Sequence, residues 1–187
     1  MAKSKVKFTY EDYQTLPESE TKRYELLGGR LIMVPSPPFS HQMVSGNLED
    51  ALRDFVREND LGVVLYVPMD VVFGEGEERE IAQPDIFFIS EERKKIIAEK
   101  EIGGAPDLIV EITSPSTEER DRGYKKTLYA RQGVKEYWLA DPEGETIEVL
   151  TLGEEGFEQS GLYEKKEILK SPLLSGLSVE LQEVFPS

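Results

Sequence analysis

No cysteine occurs anywhere in the 187 residues, and His41 is the only histidine. The missing cysteines exclude disulfides, thiolate metal sites and cysteine nucleophiles, and the composition suits a reducing cytoplasm. With one histidine, and neither HExxH nor CxxC, a zinc centre is not expected. A Ser-His-Asp triad would have to use His41, and no GxSxG stretch supplies its serine. Phosphate-cradling GxxxxGK[ST] and dinucleotide-binding GxGxxG loops are also missing. The longest apolar runs fall far short of a membrane span. "MAKSKVKFTY" has basic residues but no apolar stretch behind them, so no secretory signal is expected. Basic residues are scarce too: 22 Lys or Arg stand against 37 Asp or Glu, a net charge of −15. Loose, charge-driven nucleic acid binding normally leaves a basic footprint, which this balance opposes. A local positive groove or a cation-bridged phosphate stays open. Whatever chemistry exists must use carboxylates, lysine, arginine or tyrosine.

What is present describes a soluble globular chain. A hydrophobic fraction of 39% with 9% aromatics is ordinary for such a protein, and the length suits one domain with a real core. A short helical start is expected around Tyr10 to Leu16, then a hairpin in "YELLGGRLIMV" turning at Gly28-Gly29. Val44, Leu48, Leu52 and Phe55 recur at helical spacing from about His41 to Glu58. The runs "GVVLYVPMDVVF" and "EIAQPDIFFIS" flank the polar turn "GEGEER" and read as an antiparallel pair. Residues 91–101 read as an exposed short helix or loop. Strands 107–113 and 134–140 bracket a helix over 117–132, which favours a parallel crossover. Further strands follow in "TIEVLTL" and "FEQSGLYEKKEIL". The expected fold class is α/β, a mixed central sheet flanked by helices, with additional strands toward both ends, in one domain over 1–187.

Three residues in this frame break the local pattern. Side chains alternate along a strand, so Ile109 and Glu111 face one way and Leu108, Val110 and Ile112 the other. A carboxylate near the end of so apolar a strand is a local inconsistency of the kind that gathers at functional sites. The alternative is a strand-end glutamate satisfied by a backbone or arginine partner. In the helix, Ser116 and Glu119 fit a capping box and Gly133 a C-terminal stop. Tyr124, Leu128 and Tyr129 mark the inner face, and Asp121 and Lys125 fall in the same sector, with Lys126 pointing away. The bland reading of that pair is an i,i+4 ion pair at the core edge. Asp85, between Pro84 and Ile86, starts another apolar run, either as a turn residue or as a second acid. "APDLIV" repeats the pattern at Asp107, which reads as a structural copy about 13 Å along the strand from Glu111. Two carboxylates suffice for Mg2+ or Mn2+, and a lysine beside them could orient a water and stabilise phosphorane-like charge.

"RYELLGGRLIMVPSP", His41, "QPDIFFIS", "GAPDLIVEITSPST", "DRGYKKTLYARQGVKEYWLADPE" and "GLSVELQEVF" together resemble the Uma-two family. That bacterial family is placed in the PD-(D/E)XK, or restriction-endonuclease-like, superfamily. The likeness runs from about Tyr24 to Phe185. It implies a restriction-endonuclease-like fold, dependence on Mg2+ or Mn2+, and hydrolysis of DNA as an endonuclease. Carried over, Asp85 and Glu111 would be the metal ligands and, with Lys125, the catalytic set. The superfamily's usual lysine two residues after the second acid is replaced here by Thr113, and Lys125 matches a lysine that has migrated to the helix. Glu25 matches an acidic position beside the metal. His41 and Tyr129 match recurring positions of undefined role, and a loop or helix-cap role for His41 weighs as much as substrate contact. The alternatives are a non-catalytic binding or oligomeric module on the same fold, or a hydrolase of a small phosphorylated ligand. A groove lined by Arg120, Arg122, Lys126 or Arg131 would favour the nuclease. A two-fold homodimer is the base-rate assembly for a protein of this size.

Overall fold

The computed structural model describes residues 7–17 and 22–185. The first six residues of the segment weighed as a secretory signal lie outside them. The chain begins with a short helix, α1 (Tyr10–Gln14), and the hairpin β1 (Arg23–Leu27) and β2 (Arg30–Val34). Its Gly28-Gly29 turn has φ of 57° and 71°, a left-handed conformation that glycine adopts without steric cost. Helix α2 (Phe39–Glu58) follows the proline loop and buries Val44, Leu48, Leu52 and Val56. Val56 thus completes the stripe where Phe55 was expected.

The two β-rich runs each break into two strands. The first gives β3 (Gly62–Tyr66) and β4 (Asp70–Phe73), and the second β5 (Glu80–Ala82) and β6 (Ile86–Ser90). The breaks fall at Pro68 and Pro84, residues with no N–H to continue a ladder. The expected antiparallel pairing is present, but its halves belong to different sheets. β4 pairs with β5 in a five-stranded sheet of order β2-β1-β5-β4-β7, with β7 spanning Glu101–Gly103. β3 pairs with β6 in a six-stranded sheet of order β11-β10-β9-β8-β6-β3. There β8 is Leu108–Ile112, β9 Glu136–Asp141, β10 Thr146–Gly153 and β11 Gly156–Glu164. A 3₁₀ turn, Glu91–Ile96, links β6 to β7. β12 (Ile168–Lys170) and β13 (Ser178–Glu180) form a separate ladder before a last short helix, Leu181–Val184.

Alternation in the larger sheet feeds two cores. Leu108, Val110 and Ile112 pack with Ile86, Phe88, Trp138, the α2 stripe and Phe185. Ile109 packs on the other face with Phe87, Tyr137, Leu128, Tyr129 and residues of the smaller sheet. Glu111 shares that second face, so its carboxylate meets the helix after β8. β8 and β9 are parallel, as the strand-helix-strand order predicts.

The helix between them departs from expectation. It has three parts: α3 (Glu118–Arg120), a π-helical turn Asp121–Lys125, and α4 (Lys126–Arg131). The Ser116–Glu119 capping box does not form. Instead the Ser114 carbonyl accepts the N–H groups of Thr117 and Glu118, both at 2.9 Å. The wider π turn slips the helix face by one position. Asp121 and Lys125 stay inside with Leu128 and Tyr129, whereas Tyr124 turns outward and is 43% exposed. Gly133, at φ 83°, ends the helix as expected.

Candidate active site

The corner where the chain passes between the sheets opens into a cleft of about 680 Å³. Its walls come from the proline loop, the first turns of α2, the Tyr66–Pro68 bend and the Ser114–Thr117 loop, and its floor is acidic. Asp85 sits at the break between β5 and β6. Its Oδ2 accepts the Ile112 N–H at 2.8 Å, which holds it beside Glu111 on the neighbouring strand, and lies 3.3 Å from His41 Nε2. Glu111 Oε1 accepts hydrogen bonds from Lys125 Nζ at 2.9 Å and Tyr129 Oη at 2.7 Å. Lys125 Nζ also lies 2.8 Å from Glu25 Oε1 and 3.7 Å from Asp121 Oδ1. Asp85, Glu111, Lys125, Glu25, His41, Asp121 and Tyr129 therefore meet at one place. The ion-pair reading holds in part, because Asp121 lies 3.7 Å from Lys125, whereas Glu111 is satisfied by Lys125 and Tyr129 and not by the expected backbone or arginine partner. Thr113, at the superfamily's lysine position, instead spends its hydroxyl on the Ala140 carbonyl at 3.1 Å.

Burial sets the electrostatics. Glu111 is 4% exposed, and desolvation, the largest cause, pushes its pKa up to about 8. Asp121, Asp85 and Glu25 add to the rise, and Lys125 opposes it. Burial works to lower Lys125, but Glu111, Glu25 and Asp121 more than reverse that, so the amine stays charged. Asp121 is raised by burial, against Lys125. Tyr129 and Tyr137 are raised by burial and then by Glu111, which keeps both as hydrogen-bond donors.

Asp85 Oδ1 and Glu111 Oε2 accept no hydrogen bond from a described residue, and neither is among the fully buried orphan atoms. Glu25 Oε2, Asp121 Oδ1 and Arg120 Nε are buried without hydrogen-bond partners. Arg120 Nε stands 3.7 Å from that Glu25 oxygen and 3.8 Å from the Asp121 oxygen. The donor set is hard oxygen, which fits Mg2+ or Mn2+ held by two carboxylates and water. Among the described residues no three His, Asp or Glu side chains form a ready-made cage.

Of the four cations whose presence in the groove would favour the nuclease, only Arg120 lines the cleft. Arg122 is engaged by Glu118 and Glu148, Arg131 by Glu80, and Lys126 faces a different surface. Three site residues escaped the sequence reading: Arg23 and Tyr66, which line the cleft, and Gln83. Gln83 donates its N–H to Glu25 Oε1 at 3.0 Å and its side-chain amide to Asp70 at 2.7 Å. Its position directly before Pro84-Asp85 was the available signal. No helix among the described residues is long and apolar enough to cross a membrane.

Comparison with known proteins agrees with this architecture. The chain resembles the crystal structure of "a putative nuclease belonging to DUF820" from Anabaena variabilis ATCC 29413, with a TM-score of 0.77 at 22% identity. The similarity covers 95% of this chain and 97% of that one, and it establishes the fold. No curated protein matches the sequence. The family model Uma2, described as "Putative restriction endonuclease", matches residues 10–182. The chain belongs to the Uma2 family.

Proposed function

We propose that the protein is a divalent-metal-dependent nuclease that hydrolyses phosphodiester bonds in DNA, with Asp85 and Glu111 as metal ligands and Lys125 as the catalytic cation. The observation that carries this reading is a buried, charged lysine fixed to the carboxylate that ends β8, beside Asp85, on the floor of an open cleft. A bound Mg2+ or Mn2+ would lower the pKa of a coordinated water and offset charge on the phosphate. Asp85 Oδ1 and Glu111 Oε2 are the oxygens available to hold it. Glu111 must lose its proton first, a step that Lys125 favours. Lys125 Nζ orients the attacking water and stabilises charge building on phosphorus. Glu25 and Asp121 hold that amine in place, and Arg120 and Arg23 supply positive charge where a phosphate enters.

The reading is tested by cleavage of labelled DNA oligonucleotides with Mn2+ or Mg2+, comparing wild type with Glu111→Gln. Losing one such charged group typically costs about a hundredfold or more. Equal rates at equal fold content would remove Glu111 from the chemistry. One observation favours a second reading, a non-catalytic module: Lys125 and His41 already engage one oxygen of Glu111 and of Asp85. That reading requires the wild type to bind no divalent cation.

A further inference from the structure

We infer that the substrate is a single-stranded polynucleotide, read by stacking a base on Tyr66, an inference that rests on the nuclease reading above. Tyr66 ends β3 opposite Ile86, the residue after Asp85, so its ring stands at the edge of the acidic floor. It lines the cleft and is 49% exposed, an unusual state for a large aromatic at a strand end. The Arg53 guanidinium lies 5.3 Å from the ring centroid, a cation–π contact that steadies one face of the ring. Half-exposed and on the cleft wall, the ring is within reach of a base bound there. Phe39, next in sequence to the cleft residue Pro38, is 74% exposed.

Charge points the same way. A duplex presents one phosphate charge for every ~1.7 Å of its axis and calls for cations along both strands. Here Arg122 and Arg131, which could have followed a second strand, are already engaged by Glu118, Glu148 and Glu80. The cleft contains Arg23, Arg120 and Lys125 against Glu25, Glu49, Asp85, Glu111 and Asp121. Arg23 forms no ion pair with a described residue and is the cation most available to a phosphate. So lean a set of cations suits one backbone, with affinity supplied by aromatic stacking, the usual division in single-strand binding. Stacking tolerates any base, so little sequence preference follows.

The test is fluorescence anisotropy with the full chain in Ca2+, using a labelled twelve-nucleotide oligothymidylate, a hairpin duplex of the same length and thymidine monophosphate as competitor. A gel checks that each oligonucleotide stays intact. The single strand is expected to bind at least about tenfold more tightly than the duplex, and Tyr66→Ala to lose about tenfold or more. Tyr66→Phe should restore binding, because the ring remains. Leu162→Ser, an exposed change on β11, should leave it unaltered. An RNA strand of equal length that bound more tightly would keep the chemistry and assign the sugar. Duplex binding as tight as single-strand binding, no binding of either, or a Tyr66→Ala variant as tight as wild type would each overturn the inference. So would full competition by the mononucleotide at equal concentration, which would mark a small-ligand site. Metal-dependent cleavage of duplex by Tyr66→Ala at the wild-type rate would sink this inference and leave the nuclease reading standing. Tyr66-dependent single-strand binding without cleavage of any substrate would do the reverse.

Discussion

Pro84-Asp85 and Pro106-Asp107 begin two adjacent antiparallel strands with nearly the same local sequence, and the two aspartates have opposite fates. The pairing of β6 with β8 sets them at opposite ends of one sheet. Each accepts the backbone N–H near the end of the other's strand: Asp85 from Ile112 at 2.8 Å, Asp107 from Ser90 at 2.9 Å. The backbone logic is therefore shared, and the surroundings decide the rest. The Asp107 side chain is 1% exposed and ion-paired to Arg93 at 3.0 Å and Lys135 at 2.8 Å. Lys135, Ser90 and Arg93 hold its carboxyl below the usual range in spite of burial. Asp85, 14% exposed, meets His41 and an acidic floor, and keeps one oxygen without a hydrogen bond from a described residue. A carboxylate locked by cations serves the fold. One held beside other carboxylates, with a free oxygen, is available to a cation.

Substitution separates the two. Asp85→Asn and Glu111→Gln should each lose about a hundredfold or more of any cation-dependent cleavage, whereas Asp107→Asn should keep most of it. A cleavage rate that falls equally in all three would erase the distinction. Next in size is Lys125→Ala, which leaves buried Glu111 without its cation and Glu25 and Asp121 with only the longer contacts to Arg120, and should cost about 3–5 kcal/mol of stability as well as activity. Lys126→Ala should stay within about 0.5 kcal/mol by urea unfolding. Equal losses would contradict the assignment of the inner helix face. Asp107→Asn should then cost about 1–3 kcal/mol, since it weakens hydrogen bonds to partly exposed Arg93 and Lys135. Asp85→Asn should unfold at nearly the wild-type urea midpoint.

The finest distinction is one of pH, and it sets Glu111 against Asp107 on the same strand. Glu111, raised to about 8, keeps a proton in the folded protein that the unfolded chain has already released. Its contribution therefore falls as pH rises between the ordinary glutamate value and about 8. Asp107 is lowered, so its contribution is present above the ordinary aspartate value and is lost on acidification. Urea midpoints of Glu111→Gln should flatten the alkaline side of the stability profile, and those of Asp107→Asn the acidic side. The same profile in both variants would refute the contrast.

Much of this was legible in the residues. Strand alternation placed Glu111 apart from Leu108, Val110 and Ile112, and helical spacing chose Lys125 over Lys126. Tyr124 was misplaced because a π turn has no marker in a helical hydrophobic pattern, and one extra residue per turn rotates the face. The capping box failed because the helix starts one residue later, with Thr117 at the N-cap, and the Ser116 hydroxyl bonds to Ser114 Oγ instead. Arg122 and Arg131 were candidates for the groove because their charge is visible in sequence and their partners Glu118, Glu148 and Glu80 are not. Tyr66 was missed because exposure at a strand end depends on the bend at Pro68 and on which sheet each half of the run joins.

On the proposed reading Asp85 with Glu111, and not Asp107, forms a site for a divalent cation. Calorimetric titration of Mn2+ into wild type, Asp85→Asn and Asp107→Asn tests it without any choice of substrate. Saturable binding is expected in wild type and Asp107→Asn, and its loss in Asp85→Asn. Binding that survives in Asp85→Asn, or no binding in the wild type, would contradict it.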